Sequence, residues 1–194
     1  MAQRISAHQR LLDAAAELFY RYGIAATGID AIVKEAGVAK KSLYNNFDSK
    51  AALVAAYLDL RHQAWLCLYE ARLAEASTPI ERIKAVFLAY EDHASEAYQH
   101  GFRGCGLLNA AAELPAGDEG RNTVRRHKNE VEALLRQHVQ AYLHNDDTKA
   151  ASLAHHLAFL LEGSMVRAGL EGHGKCLNDA LQMAERLLEE YDHA

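Results

Sequence analysis

Proline is almost missing from this chain, with two residues in 194, and only three cysteines are present. So little proline leaves long stretches free to stay helical. Cys67, Cys105 and Cys176 are odd in number, far apart and never in a C-x-x-C pair, which argues against a disulfide framework and a thiolate zinc site. They are expected to be reduced, with two or three filling core space. Long apolar runs are missing too. Charges such as Asp59 and Arg61 break them well short of the roughly 20 residues of a membrane span. Residues 1–10 are polar and show no secretory signal. A cytoplasmic protein with no membrane association is expected. Catalytic signatures are equally scarce: there is no Gly-x-Ser-x-Gly elbow and no phosphate-binding glycine loop. No repeat suggests a solenoid.

What the chain has is helix-forming sequence. Apolar residues make up 50% of it, and Ala, Leu and Glu abound. Ser6 and Gln9 can form a capping box, after which Leu11, Ala15, Leu18, Phe19 and Tyr22 fall on one helical face that Gly23 closes. Thr27, with Asp30 three positions on, is placed to cap a short second helix. Gly37 breaks that helix, and 40–47 reads as a third, turning Leu43 and Phe47 inward. Asp48 can cap a long fourth helix toward Ala74, and Thr78-Pro79 with Glu81 starts a fifth. Further helices are expected over 107–114 and 118–144. Asn145-Asp146 caps another that ends near Gly169, and a last one runs through Leu177 to Tyr191. The spacing predicts an all-α fold of about nine helices, divided into a head over 1–50 and a body over 51–194.

Two short helices joined by a glycine-centred turn are the mark of a helix-turn-helix. The net charge of -5 hides a local reversal of sign. Residues 1–50 carry seven basic and five acidic side chains, a net of +2, while the remainder carries 14 basic and 21 acidic, a net of -7. The third helix offers Lys40, Lys41, Ser42, Tyr44, Asn45 and Asn46 on its outer face. Asn suits adenine edges, Lys suits guanine or phosphate, and Tyr and Ser hydroxyls commonly fix phosphates.

The run from Thr27 through the Gly37 turn, the Leu43-Tyr44-x-x-Phe47 core and the Ser49-Lys50-x-x-Leu53 entry resembles the DNA-binding head of the tetracycline-repressor (TetR) family. The resemblance covers about residues 6–60. It implies that Thr27 and Gly28 start a helix facing phosphate, that Lys40 to Asn46 enter the major groove, and that Lys50 holds phosphate. The chain departs from the family pattern at Ala39, where a hydroxyl cap is usual, and at Lys41, where a small residue is common.

One recognition helix reads only a few base pairs, so a useful site needs two copies. The stripes along the last two helices, from Leu153 to Met165 and from Leu177 to Tyr191, suit a homodimeric four-helix bundle, as the resemblance also implies. In the middle of the chain Cys105, Asn109 and Glu113 are spaced i, i+4. That polar stripe resembles a pattern in a subset of TetR-like bodies. It either satisfies neighbouring helices or lines a cavity for an unknown small-molecule effector. Trp65, Tyr69, Tyr90, His93, Phe102 and Phe159 are candidate aromatic walls. Eleven histidines raise a metal reading, but the adjacent His155 and His156 point apart and no His-Glu-x-x-His cluster occurs. No metal or cofactor is expected. The preferred reading is a ligand-responsive repressor on a palindromic operator. The alternatives are a ligand- or metal-binding module that has lost DNA binding and a helical enzyme built on Cys105.

Overall fold

Side chains that accept backbone N–H groups set most of the helix starts. The computed structural model describes residues 5–95, 101–144 and 146–192, which form nine α-helices and no strand. Ser6 Oγ accepts the Gln9 N–H (3.1 Å) to open α1, Ala7–Tyr22. The Gln9 amide turns to Asp13 (2.8 Å), so its amide group bonds a carboxylate one turn on. α2 spans Ile29–Ala36 and α3 spans Lys40–Asn46. Gly37 closes α2 in the left-handed conformation (φ 61°), which a residue without Cβ adopts at little cost. Phe47 lies outside α3 in extended backbone and donates its N–H to Leu43 O, so this helix ends one residue earlier than its sequence suggests.

α4 covers Lys50–Ala74, and its cap is Ser49, whose Oγ accepts the Ala52 N–H (3.1 Å), in place of the expected Asp48. α5, Pro79–Ser95, opens with the full box. Glu81 Oε2 accepts the N–H groups of Ser77 (2.8 Å) and Thr78 (2.9 Å), and Thr78 Oγ1 accepts that of Glu81 (3.3 Å). These bonds from Thr78 and Ser77 hold the Glu81 carboxyl below its usual range. α6 is Gly106–Glu113, α7 is Glu119–Tyr142, α8 is Asp147–Glu171 and α9 is Lys175–Asp192. Asp146 caps α8 through the Lys149 N–H (3.0 Å), while Asn145 lies outside the described residues.

The chain divides into two compact units. The first joins residues 1–62 to 106–124, a wider body of chain than the head expected over 1–50. Its interior is built from Leu11, Ala15, Phe19, Ile32, Leu43, Leu53 and Leu58, with Phe19 edge-on to Tyr57. The second joins 63–105 to 125–194, with α5, α8 and α9 packed on one another over Ile83, Val86, Leu135, Leu153, Leu157 and Leu188. Arg72 holds Asp92 through two parallel bonds of 2.6 Å, the fork geometry that favours Arg over Lys. Cys105 is buried but Cys67 is exposed and Cys176 half-buried, so only one of the three thiols fills core space.

Within the second unit the backbones of Gly104 and Gly169 approach too closely for a side chain. A Cβ on Gly169 would stand 2.7 Å from Gly104 Cα and 2.8 Å from its N. Gly169→Ala should therefore lower stability by about 1–3 kcal/mol through overpacking. Thermal unfolding should show the loss as a lower midpoint, and an unchanged midpoint would contradict the close approach.

Candidate nucleic-acid interface and buried polar cluster

In the first unit, α3 is seated by its back face. Leu43 is fully buried and Phe47 is 6% exposed, stacked on His8 (centroids 4.6 Å apart). Turned the other way, Lys40, Lys41, Tyr44, Asn45 and Asn46 are exposed, with Tyr44 at 52%, and Ser42 is half-buried. Two of these side chains are already engaged. Lys40 Nζ pairs with Asp30 of α2 (2.7 Å), and the hydrogen bond and charge of Asp30 raise its affinity for the proton. Asn46 Nδ2 donates to Ser42 O (2.7 Å). Ala39 stands at the α3 N-cap with no side-chain bond, as the sequence implies.

Three residues expected to meet DNA or ligand bond the turn between α1 and α2. Thr27 is buried, and its hydroxyl donates back to Gly23 O (2.6 Å) and Leu18 O (3.2 Å), while Gly28 is the α2 N-cap. With its proton committed to those carbonyls, the Thr27 side chain lies inside the turn, and α2 opens from Gly28 with no side-chain cap. Gly28 is exposed at that helix start. Lys50 Nζ donates to Ile24 O (2.6 Å), so its ammonium bonds the fold's own backbone. Glu113, expected on a ligand stripe, accepts the Ile24 N–H (3.0 Å) and the Ala25 N–H (2.7 Å). Gly23 makes room for it: φ is +90°, and a Cβ there would lie 2.5 Å from Glu113 Oε1. The stripe breaks at its other end as well, because α6 begins at Gly106 and leaves Cys105 outside the helix. Asn109 lies half-buried on α6.

In the second unit, Trp65, Tyr69, Tyr90, His93 and Phe102 are all buried. Trp65 stacks on Tyr69 (5.5 Å, 1° between planes) and meets Tyr90 (5.4 Å) and His127 edge-on (5.3 Å). His93 meets Phe102 edge-on at 6.5 Å. Phe159 is 63% exposed on α8, so it walls no buried site here. Tyr69 OH and His138 Nε2 share a buried bond of 2.7 Å; burial raises the Tyr69 hydroxyl and lowers the His138 imidazole.

At the centre lies Lys128, which nothing in the polar, charged run of α7 distinguishes in sequence. Its ammonium reaches Glu162 Oε1 (2.8 Å), Tyr90 OH (3.1 Å) and Cys105 Sγ (3.8 Å). Burial opposes its charge, yet Cys105, Tyr90 and Glu162 around it hold the ammonium well above the usual lysine range. Burial likewise pushes the Tyr90 hydroxyl up. Among the described residues no three His, Cys, Asp or Glu side chains converge on a metal position. His155 bonds Glu132 (2.9 Å) on the surface. No helix among them is long and apolar enough to cross a membrane.

The family model for bacterial regulatory proteins of the tetR family matches residues 11–57. The tetracyclin repressor-like C-terminal domain model matches residues 79–184. A TetR-family transcriptional regulator from Streptomyces coelicolor superposes with a TM-score of 0.86 at 27% identity, over 95% of each chain. The regulatory protein TetR from Rhodobacter sphaeroides gives 0.77 at 26%, over 93% of this chain and 97% of that one. An uncharacterized HTH-type transcriptional regulator from Lactococcus lactis is 30% identical over 113 residues, 57% of this chain. The chain spans 56% of that relative's length.

The clamp on the α1–α2 turn makes its own prediction. Glu113→Ala leaves two backbone N–H groups without their charged acceptor and should cost about 1–3 kcal/mol in chemical denaturation. Amide exchange at Ile24 and Ala25 should quicken, and Glu113→Gln, which keeps a carbonyl acceptor, should fall between. Unchanged exchange at both amides would show that the carboxylate does not hold the turn.

Proposed function

The chain belongs to the tetracycline-repressor family of transcriptional regulators, and from that premise we propose that it is an effector-controlled homodimeric repressor gripping a palindromic operator with α3 of each copy. The observation that carries this is the two-faced seating of α3. Leu43 and Phe47 anchor it, while Tyr44, Lys41 and Asn45 stand in solvent at the helix surface a major groove would receive. Lys41 and Tyr44 would hold phosphate and Asn45 a base edge. Lys40 and Lys50 would first have to leave Asp30 and Ile24 O.

For the second copy, α8 and α9 offer an apolar face. Phe159 and Met183 line a groove of about 320 Å³ between the two helices, and Val166 and Leu170 (80% exposed) stand in solvent elsewhere on α8. A two-fold pairing of this face would bury side chains that are otherwise costly to leave in water. In this reading the body binds a small effector and carries out no chemistry, with Cys105 serving as a packed thiol, and the protein works in the cytoplasm. The effector shifts the equilibrium between states that fit and misfit DNA by its difference in affinity for them. α4, with residues 50–62 in the first unit and 63–74 in the second, is the helix that would carry the change.

A gel shift on DNA from upstream of the protein's own gene tests the reading. Binding should weaken steeply with salt. Tyr44→Ala or Lys41→Ala should each cost roughly 1–2 kcal/mol, with Lys41→Ala also flattening the salt dependence. Absence of a salt-sensitive complex would overturn it. Sedimentation should give a dimer at micromolar concentration that Leu170→Asp weakens, and a monomeric parent protein would refute the pairing.

A further inference from the structure

The second unit contains two buried polar atoms that find no partner among the described residues, the indole N–H of Trp65 and Oε2 of Glu162. Trp65 is 3% exposed. Both residues border the Tyr90–Lys128 pair: Trp65 by its ring against Tyr90, Glu162 by its other oxygen on Lys128. A buried donor or acceptor left unpaired destabilises the fold. One donor and one acceptor beside a single polar cluster can be satisfied by a molecule that offers both functions.

The bonding already present limits what that molecule can be. Each of the three N–H groups of Lys128 has an acceptor, so an anion finds no free cation there. It would also approach the Glu162 carboxylate. An ammonium ligand could satisfy Glu162 Oε2 but offers no acceptor to the Trp65 N–H, and it would add charge to an ion pair that is already balanced. A hydroxyl group carries both functions, a proton to donate toward Glu162 and lone pairs to accept from Trp65. The ring faces of Trp65, Tyr69 and Tyr90 suit an apolar, aromatic frame.

We propose that the effector is an uncharged, largely apolar molecule bearing a hydroxyl group, of the phenol or aromatic-alcohol class, received at Trp65 and Glu162 beside the Tyr90–Lys128 pair. This rests on reading the body as an effector domain. The claim concerns the chemistry of recognition, and Lys128 acts in it by holding Glu162 so that only one carboxylate oxygen is spent.

Four probes of one shape test it on the full chain: 4-propylphenol, propylbenzene, 4-propylbenzoate and 4-propylbenzylammonium. Trp65 is the single tryptophan, so its emission reports binding at the site itself, with calorimetry as the second readout. The phenol should bind at least tenfold more tightly than the other three and shift the Trp65 emission. Trp65→Phe keeps a ring but removes the N–H, and by calorimetry it should erase most of the preference for phenol over propylbenzene while the variant stays folded by circular dichroism. The inference is overturned if no probe binds at millimolar concentration, if benzoate or ammonium binds as well as the phenol, or if the preference survives in Trp65→Phe. A phenol that binds as expected yet leaves the protein–DNA complex unchanged in a gel shift upholds the recognition and refutes the effector reading. Intact salt-sensitive DNA binding with no phenol affinity does the reverse.

Discussion

The arrangement of the first unit depends on how four backbone groups between α1 and α2 are satisfied. Ile24 N–H and Ala25 N–H meet the Glu113 carboxylate, Ile24 O meets the Lys50 ammonium, and Gly23 O meets the Thr27 hydroxyl. The charged partners, Glu113 and Lys50, make their bonds stronger than ordinary neutral ones. The residues that supply them lie on α6, at the start of α4 and just before α2, so one short turn ties the helix-turn-helix to a segment almost ninety residues further along the chain. α3 inherits its position from this knot, because α2 hangs from the turn and α3 packs on both α1 and α2.

That explains why Ala39 can replace a hydroxyl cap. A missing cap typically costs about 1 kcal/mol of helix stability. Here α3 is seven residues long and could not persist alone whatever its cap. Burial of Leu43 and Phe47 holds it, so its start is fixed by tertiary contacts and tolerates a weak local signal.

The second unit is organised around charge taken out of water. A lysine at 16% side-chain exposure survives as an ammonium only because Glu162, Tyr90 and Cys105 surround it, and the aromatic rings of Trp65, Tyr69 and Tyr90 exclude water nearby. Such a cluster adds less to stability than apolar packing of the same volume would. In the reading proposed above, this cluster serves recognition.

Helices, their order and the helix-turn-helix of the first unit were legible in the sequence. Those features follow from local rules: apolar period, caps and a glycine turn act within a few residues of one another. Even so, cap assignments slipped where two candidates stood side by side, with Ser49 taking the place of Asp48 and Gly28 that of Thr27. The partners of Thr27, Lys50 and Glu113 were beyond reach, since a hydroxyl, an ammonium and a carboxylate can each serve DNA, ligand or backbone, and only the three-dimensional path of the chain decides which is near. Lys128 and Glu162 carried no signal at all, being two charges among many on polar helices. Sequence by itself determined what each segment would become; the tertiary structure decided which polar groups were spent on the fold and which remained for binding, because that depends on distances between residues far apart in the chain.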